Sequence, residues 1–176
     1  FIFYLGRAEP YKNNRGLIRA HQLLLSKFPA LELLIVGKKE EFRARDETWV
    51  FEQNYTNVTF IGAISDEQLV WLYENCRAYV IPSFMEGFGL PSLEAMLHGA
   101  PVASSNATCL PEVLGDAALY FDPHNPTNMA AVIERLLSDT TLAGDLRKKG
   151  YEQAGQYSWR RMAEQTLEVY EHALAA

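Results

Sequence analysis

Cysteine is scarce in this chain: two among 176 residues, Cys76 and Cys109, with neither a CxxC pair nor metal-ligand spacing. The pattern excludes the disulfide framework of small secreted domains, and both read as reduced thiols filling small core spaces. Long apolar runs are missing too; Leu33 to Val36 and Ala78 to Ile81 are strand-sized, far short of the roughly 20 residues that span a bilayer. Positive charge is in deficit, with 16 Lys and Arg against 22 Asp and Glu and a formal net charge of -6. Nucleic acid and anionic lipid call for basic stripes, so nucleic acid is not an expected partner and any anionic ligand must be held by local groups. No GxxxxGK[ST] occurs, which excludes a P-loop, and no GxGxxG follows the first apolar run, which disfavours a dinucleotide cofactor. Also absent are an initiator Met and a leader before Phe1, from which a piece of a longer, cytoplasmic protein is expected. The sequons at Asn54, Asn57 and Asn106 then read as coincidence.

What the chain does have is alternation. Short apolar runs recur at Phe1 to Leu5, Leu31 to Val36, Val58 to Ile61, Ala78 to Ile81, Pro101 to Ser104 and Ala118 to Phe121. Helical patterns separate most of them. Leu17, Ile18, His21, Leu24, Leu25 and Phe28 keep to one helix face until Pro29. A polar helix fills Glu40 to Gln53, and Ser65-Asp66-Glu67-Gln68 has the capping-box spacing that opens a helix through Leu69, Leu72 and Tyr73. Pro91 to His98 is bounded by a proline where no donor is lost and by Gly99 just past its end. Pro111 to Leu114 makes one turn stopped by Gly115, after which apolar stripes mark helices through Met129 to Leu137, Leu142 to Tyr151 and Trp159 to Leu174. This order predicts one α/β domain over 1–176: a Rossmann-like doubly wound parallel sheet of six strands, with helices on both faces and extra C-terminal helices.

In a sheet of order 3-2-1-4-5-6, ligands bind outside the carboxyl ends of the strands where strands 1 and 4 diverge. The loop after strand 1 carries Arg7 and Lys12; the loop after strand 4 runs through Glu86, Gly87, Phe88 and Gly89 into a helix bearing Glu94. Gly87, Gly89 and Pro91 forbid one continuous helix, so Glu86 belongs to the loop and Glu94 to the helix. The free amides at the start of that helix suit a phosphate oxygen, and Arg7 and Lys12 opposite suit a diphosphate. Glu86 can accept from sugar hydroxyls and Glu94 from the paired hydroxyls of a ribose. Equally, Glu86 can be a favourable charge near a helix N-terminus, Glu94 a solvated helix residue, and the two cations ordinary loop residues; spacing leaves these readings open. His98 reads as a helix cap, and His21, His124 and His172 make no metal site. With no Asp-x-Asp present, cationic side chains and the helix end are expected to hold a diphosphate without Mg²⁺ or Mn²⁺.

Several blocks in register carry a resemblance: Gly6-Arg7 with Lys12-Asn13, Leu34-Ile35-Val36-Gly37, Phe60-Ile61-Gly62 with Ser65-Asp66-Glu67, Pro82-Ser83, Glu86-Gly87-Phe88-Gly89-Leu90-Pro91, Leu93-Glu94-Ala95-Met96, Gly99-Ala100-Pro101-Val102 and Leu110-Pro111-Glu112-Val113. In this order they resemble the C-terminal, donor-binding half of retaining glycosyltransferases of family 4, which have the GT-B fold. The pair Glu86 and Glu94 is similar to that family's E-x7-E signature. The resemblance implies that Glu86 contacts the donor sugar, Glu94 the ribose, Arg7 and Lys12 the diphosphate, and the loop of Gly87 with the amides of Phe88, Gly89 and Leu90 the sugar or phosphate. Backbone around Gly62 to Ile64 is implied near the base. No cofactor or metal is implied, only a nucleotide-sugar co-substrate.

The Pro-Tyr-Lys-Asn loop and Asn106 to Val113 resemble the bacterial mannosyltransferase branch, which implies GDP-mannose, with a UDP-glucose-type donor as the alternative. Thr108-Cys109 departs from the serine pair common there, and Tyr11 stands where arginine is frequent. The resemblance further implies an N-terminal domain that binds a glycan or lipid-linked acceptor. Residues 158–176 are expected to pack toward it, leaving apolar surface exposed in the chain alone. A cytoplasmic enzyme, peripheral at the inner face of the membrane, is the corresponding expectation. The rival from another class is a nucleotide-sugar binding or regulatory module without turnover.

Overall fold

The structure is a computed structural model that describes residues 1–38 and 40–175. Strands β1 (Ile2–Leu5), β2 (Leu33–Val36), β3 (Val58–Ile61), β4 (Ala78–Ile81), β5 (Val102–Ser105) and β6 (Ala118–Phe121) form one parallel sheet in the order β3-β2-β1-β4-β5-β6, as the alternation predicts. The helices are α1 (Asn14–Leu24), α2 (Glu41–Glu52), α3 (Asp66–Asn75), α4 (Leu90–Leu97), α5 (Leu110–Leu114), α6 (Pro126–Ser138), α7 (Thr140–Ala154) and α8 (Trp159–Ala175).

Strand β4 is buried at every residue because helices cover both faces of a parallel sheet, which is why its sequence shows no polar alternation. The period of two then sorts the side chains into two cores. Ile2, Tyr4, Ala78, Val80 and Ala103 point to one face, against Leu17, Ile18 and Leu24 of α1 and Met129, Ile133 and Leu136 of α6. Phe3, Tyr79, Ile81 and Val102 point to the other, against Leu72 and Tyr73 of α3, Leu93 and Met96 of α4, and Leu110 and Leu114 of α5. Cys76 fills this second core, where burial pushes its thiol up to about 12; it and half-buried Cys109 are both unpaired.

The capping box that opens α3 is formed on both sides: the Gln68 N–H donates to Ser65 Oγ at 3.3 Å, and the Ser65 N–H to Gln68 Oε1 at 2.9 Å. One expectation is corrected. The apolar stripe through Phe28 overstates α1, which ends at Leu24; there the Lys27 and Phe28 amides share the Leu24 carbonyl, and Pro29 disfavours a helical Phe28. The sequence pattern also gives no sign of the single 3-10 turn at Pro10–Lys12.

No residue of α8 is buried, and Trp159, Met162, Leu167, Tyr170 and Leu174 are exposed along it, the apolar surface expected of this segment. The last residue of that expected helix, Ala176, lies outside the described residues. Among the described residues no helix is long and apolar enough to cross a membrane.

Candidate functional site

The strand order puts the switch point between β1 and β4, which pair at Ile2↔Ala78 and Phe3↔Tyr79 before their chains leave in different directions. Asn13 stitches the loops there. It takes the left-handed conformation (φ 58°), which asparagine tolerates better than most residues, and so serves as cap between the 3-10 turn and α1. Its buried Nδ2 donates to Pro82 O at 3.0 Å and Pro123 O at 2.8 Å, tying the loop after β1 to those after β4 and β6. The Phe84 amide donates to Tyr11 O at 2.8 Å and makes a second tie.

These ties bring Lys12 and Glu86 together across 74 residues of sequence. Lys12 Nζ donates to both carboxylate oxygens of Glu86, at 2.8 and 3.0 Å, and the pair is mostly shielded from water, with side chains 17% and 12% exposed. Ser83 Oγ adds a hydrogen bond to Glu86 Oε1 at 2.7 Å. Three hydrogen bonds from two groups orient this carboxylate, and the cation balances its charge. Behind it Tyr79 and Tyr4 are buried, and burial raises both phenols well above their ordinary value, so they stay neutral.

Helix α4 starts immediately beyond. Gly89 caps it at φ +86°, and a Cβ there would lie 2.7 Å from Leu110 Cδ2, so both conformation and space require glycine. Gly87 is different: a Cβ would meet nothing within 4 Å, and open space faces the backbone beside Glu86. The Leu90 amide opens α4 without an intrahelical acceptor, Pro91 carries no N–H and the Ser92 amide donates to Gly89 O at 2.9 Å, while the helix dipole gives this end a partial positive charge. Phe88, exposed, rests edge-on against Tyr157 at 5.5 Å. Glu94 is exposed one turn into α4, where Tyr73 Oη donates to Glu94 Oε2 at 3.3 Å. Burial, reinforced by the Glu94 charge, raises the Tyr73 phenol strongly, which keeps that proton in place.

Arg7 is engaged elsewhere. Its guanidinium, two-thirds exposed, bonds Glu9 at 2.8 Å and Glu40 at 3.2 Å, and the Glu40 carboxylate holds its pKa above the ordinary value. Arg7 and Glu40 line an open cleft of about 440 Å³ with Leu5, Gly6, Gly37 and Lys38 at the carboxyl ends of β1 and β2. Arg43 braces that rim. Its buried fork donates to the carbonyls of Gly37 and Ile61, each at 2.8 Å, and of Phe60 at 2.9 Å. Gly62 follows with open space beside it, and half-buried Ile64 packs its side chain on the second core. His98 caps α4 through its backbone and stacks on Tyr73 at 5.9 Å. Among the described residues no three His, Cys, Asp or Glu side chains gather as a metal site.

Of the residues singled out from sequence, Lys12 and Glu86 meet directly, Gly87, Phe88, Gly89, Leu90 and Glu94 follow on the same loop and helix, and Arg7, Gly62 and Ile64 lie on the β1–β3 side. Asn13, Ser83, Tyr73 and Thr108 were not singled out for the site, and each acts on it through a hydrogen bond. The doublet Asn13-Asn14 at the start of α1 is the readable signal for the left-handed cap. Nothing in the sequence pointed to Tyr73, which pattern alone assigns to the core.

A doubly wound sheet whose β1 and β4 loops converge a cation, an oriented carboxylate and a helix N-terminus defines a Rossmann-like domain suited to an anionic, hydroxyl-bearing ligand. Residues 1–153 match the family model of glycosyl transferases group 1, and the chain belongs to that family. It is 39% identical over 173 residues to O-antigen chain mannosyltransferase B of Escherichia coli, covering 97% of this chain and 45% of that protein. It is 33% identical over 178 residues to the serotype-specific mannosyltransferase WbdA of Escherichia coli, covering 99% of this chain and 22% of that one. Among solved structures, sucrose-phosphate synthase from Thermosynechococcus elongatus superimposes with a TM-score of 0.83 at 30% identity, over 99% of this chain and 45% of that one. The chain thus spans less than half the length of these relatives, and its fold is that of the GT-B glycosyltransferases.

Proposed function

We propose that this chain is the donor-binding half of a metal-independent, retaining glycosyltransferase of family 4 that transfers mannose from GDP-mannose to a glycan or lipid-linked glycan. The observation that carries the reading is the shielded Lys12–Glu86 pair at the β1/β4 switch point, beside the N-terminus of α4. A nucleotide sugar fits that arrangement part by part. Its diphosphate takes Lys12, the α4 amides and Arg7 once Arg7 turns from Glu40; its sugar takes Glu86 and the Gly87–Leu90 loop; its ribose takes Glu94, and its base the main chain from Gly62 to Ile64. As the glycosidic bond to phosphate breaks, negative charge builds on the leaving diphosphate, and the cations and amides stabilise it. The acceptor enters on the face the diphosphate leaves. Mannose is supported by the names of the two relatives above. The missing half binds the acceptor, the apolar stripe of α8 packs toward it, and the enzyme works in the cytoplasm at the inner face of the membrane.

The test is transfer of mannose from GDP-mannose to a glycan acceptor by the full-length protein. Glu86→Gln and Lys12→Ala are each expected to slow transfer about a hundredfold with the circular dichroism spectrum unchanged. Near-normal rates in both variants remove the assigned roles, and donor binding without transfer or hydrolysis by the unsubstituted protein supports the binding-module reading instead. For the chain by itself, spanning under half the length of these relatives, binding without turnover is the expected behaviour.

A further inference from the structure

Thr108, in the loop between β5 and α5, is exposed and held at φ +53°. Among the described residues the other non-glycine residues at positive φ are Asn13, Asn54 and Asn57, which suit that region; a β-branched threonine does not. Strain of this kind persists where surrounding contacts hold it in place. Here the contacts are specific. Thr108 Oγ1 accepts the Glu86 N–H at 3.1 Å and donates to the Glu86 carbonyl at 3.2 Å, so a single hydroxyl engages both polar main-chain groups of that residue. Cys109 Sγ donates to the same carbonyl at 3.3 Å. The gripping loop is itself seated: Ser105 Oγ, fully buried, donates to Ser83 O at 2.7 Å and accepts the Ala107 N–H at 3.3 Å.

Glu86 is therefore fixed from two sides. The loop after β1 and Ser83 hold its carboxylate, and the loop after β5 holds its backbone. Its neighbours Met85 and Gly87 are exposed and no helix or strand fixes this segment, so without Thr108 the carboxylate would keep its partners only by following a freer main chain.

We propose that Thr108 is a positioning residue for sugar recognition: its strained hydroxyl sets the main chain of Glu86 so that the carboxylate meets the hydroxyls of the donor sugar. The inference rests on the donor-site reading above. Because it acts through Glu86, it bears on the sugar and not on the nucleotide.

Calorimetric titration of the 176-residue chain with GDP-mannose, UDP-glucose and the sugar-free diphosphates GDP and UDP separates these possibilities. In Thr108→Val, which keeps the shape and loses both hydrogen bonds, the nucleotide sugar that binds the unsubstituted chain is expected to bind about tenfold more weakly, and its diphosphate within about twofold. Thr108→Ser is expected to restore sugar binding. Thr108→Gly relieves the backbone and lacks the hydroxyl; it is expected to fold and to bind like the valine variant, which keeps the test sound if Thr108→Val does not fold. In a Glu86→Gln background the valine substitution is expected to add little. Equal loss for sugar and diphosphate, or no loss in the valine and glycine variants, overturns the role of Thr108 and leaves the donor site standing. If the unsubstituted chain binds none of the four ligands, the donor-site reading fails and this inference with it.

Discussion

Replacing Asn13 by alanine removes both donors that tie the loops of the site together. The bonds to Pro82 O and Pro123 O, at 3.0 and 2.8 Å, are buried, so water does not replace them fully. Each buried carbonyl left without its donor costs about 1 to 3 kcal/mol. Position 13 also keeps its left-handed backbone, φ 58°, which costs alanine on the order of 1 kcal/mol more than asparagine. The sum is about 3 to 7 kcal/mol, a large share of a domain's stability of about 5 to 15 kcal/mol. Urea unfolding followed by circular dichroism reads it as a fall in midpoint of about 1.5 to 3.5 M at a slope of about 2 kcal/mol per M. Asn13→Gly separates the two causes: it relieves the backbone and still lacks the donors, so it is expected to lie about 1 kcal/mol above the alanine variant. An alanine variant within about 1 kcal/mol of the unsubstituted chain would refute the reasoning and leave the loops held by the Phe84–Tyr11 bond and by packing.

Two further predictions follow from single contacts. Tyr73→Phe removes the hydroxyl that steadies Glu94 at 3.3 Å; GDP is expected to bind about threefold more weakly, and 2′,3′-dideoxy-GDP, which offers Glu94 no ribose hydroxyls, equally in both proteins. Equal loss for the two ligands would remove the ribose role. His21 is buried neutral, with Nε2 2.9 Å from Leu31 O and Nδ1 accepting from Gln22 at 3.1 Å, and burial lowers its pKa below the ordinary 6.5. The unfolded chain therefore binds a proton first as pH falls, so this contribution to stability is present above pH 6.5 and is lost below it, until the folded-state pKa is passed. The slope in that window approaches about 1.4 kcal/mol per pH unit, and His21→Gln is expected to flatten the dependence of the urea midpoint between pH 7 and pH 5. An identical profile in the variant would assign the acid sensitivity to other groups.

The sheet was legible because it follows from local signals. Ala78 to Ile81 is apolar throughout, Ser65 to Gln68 spells a cap, and Gly99 stops a helix, so the alternation of strands and helices was plain and the doubly wound pattern supplied the order. The end of α1 was overstated because Phe28 remains in phase with the helix stripe even after the backbone has turned on the Leu24 carbonyl. At the site, sequence identified the residues that bear charge and missed those that hold them. Lys12 and Glu86 stand out by type, but their 2.8 Å contact depends on Asn13 and Ser83, whose partners lie on other loops. Arg7 shows the converse: its place beside β1 suited a diphosphate, and Glu9 and Glu40 occupy it in the structure. Thr108 was noticed only as a departure from a family pattern, because its φ is invisible in sequence.

The central claim is that the switch point between the β1 and β4 loops binds a nucleotide sugar through Lys12 and Glu86. Its most direct test is calorimetric titration of the chain with GDP-mannose, GDP, UDP and ADP, repeated on Lys12→Ala. The account predicts saturable binding of GDP-mannose and GDP in preference to UDP and ADP, and about a tenfold weaker grip on GDP once Lys12 is gone. A preference for UDP would move the donor from GDP-mannose to a UDP-sugar and leave the clamp in place; absence of binding by every nucleotide, or indifference to Lys12→Ala, would contradict the claim.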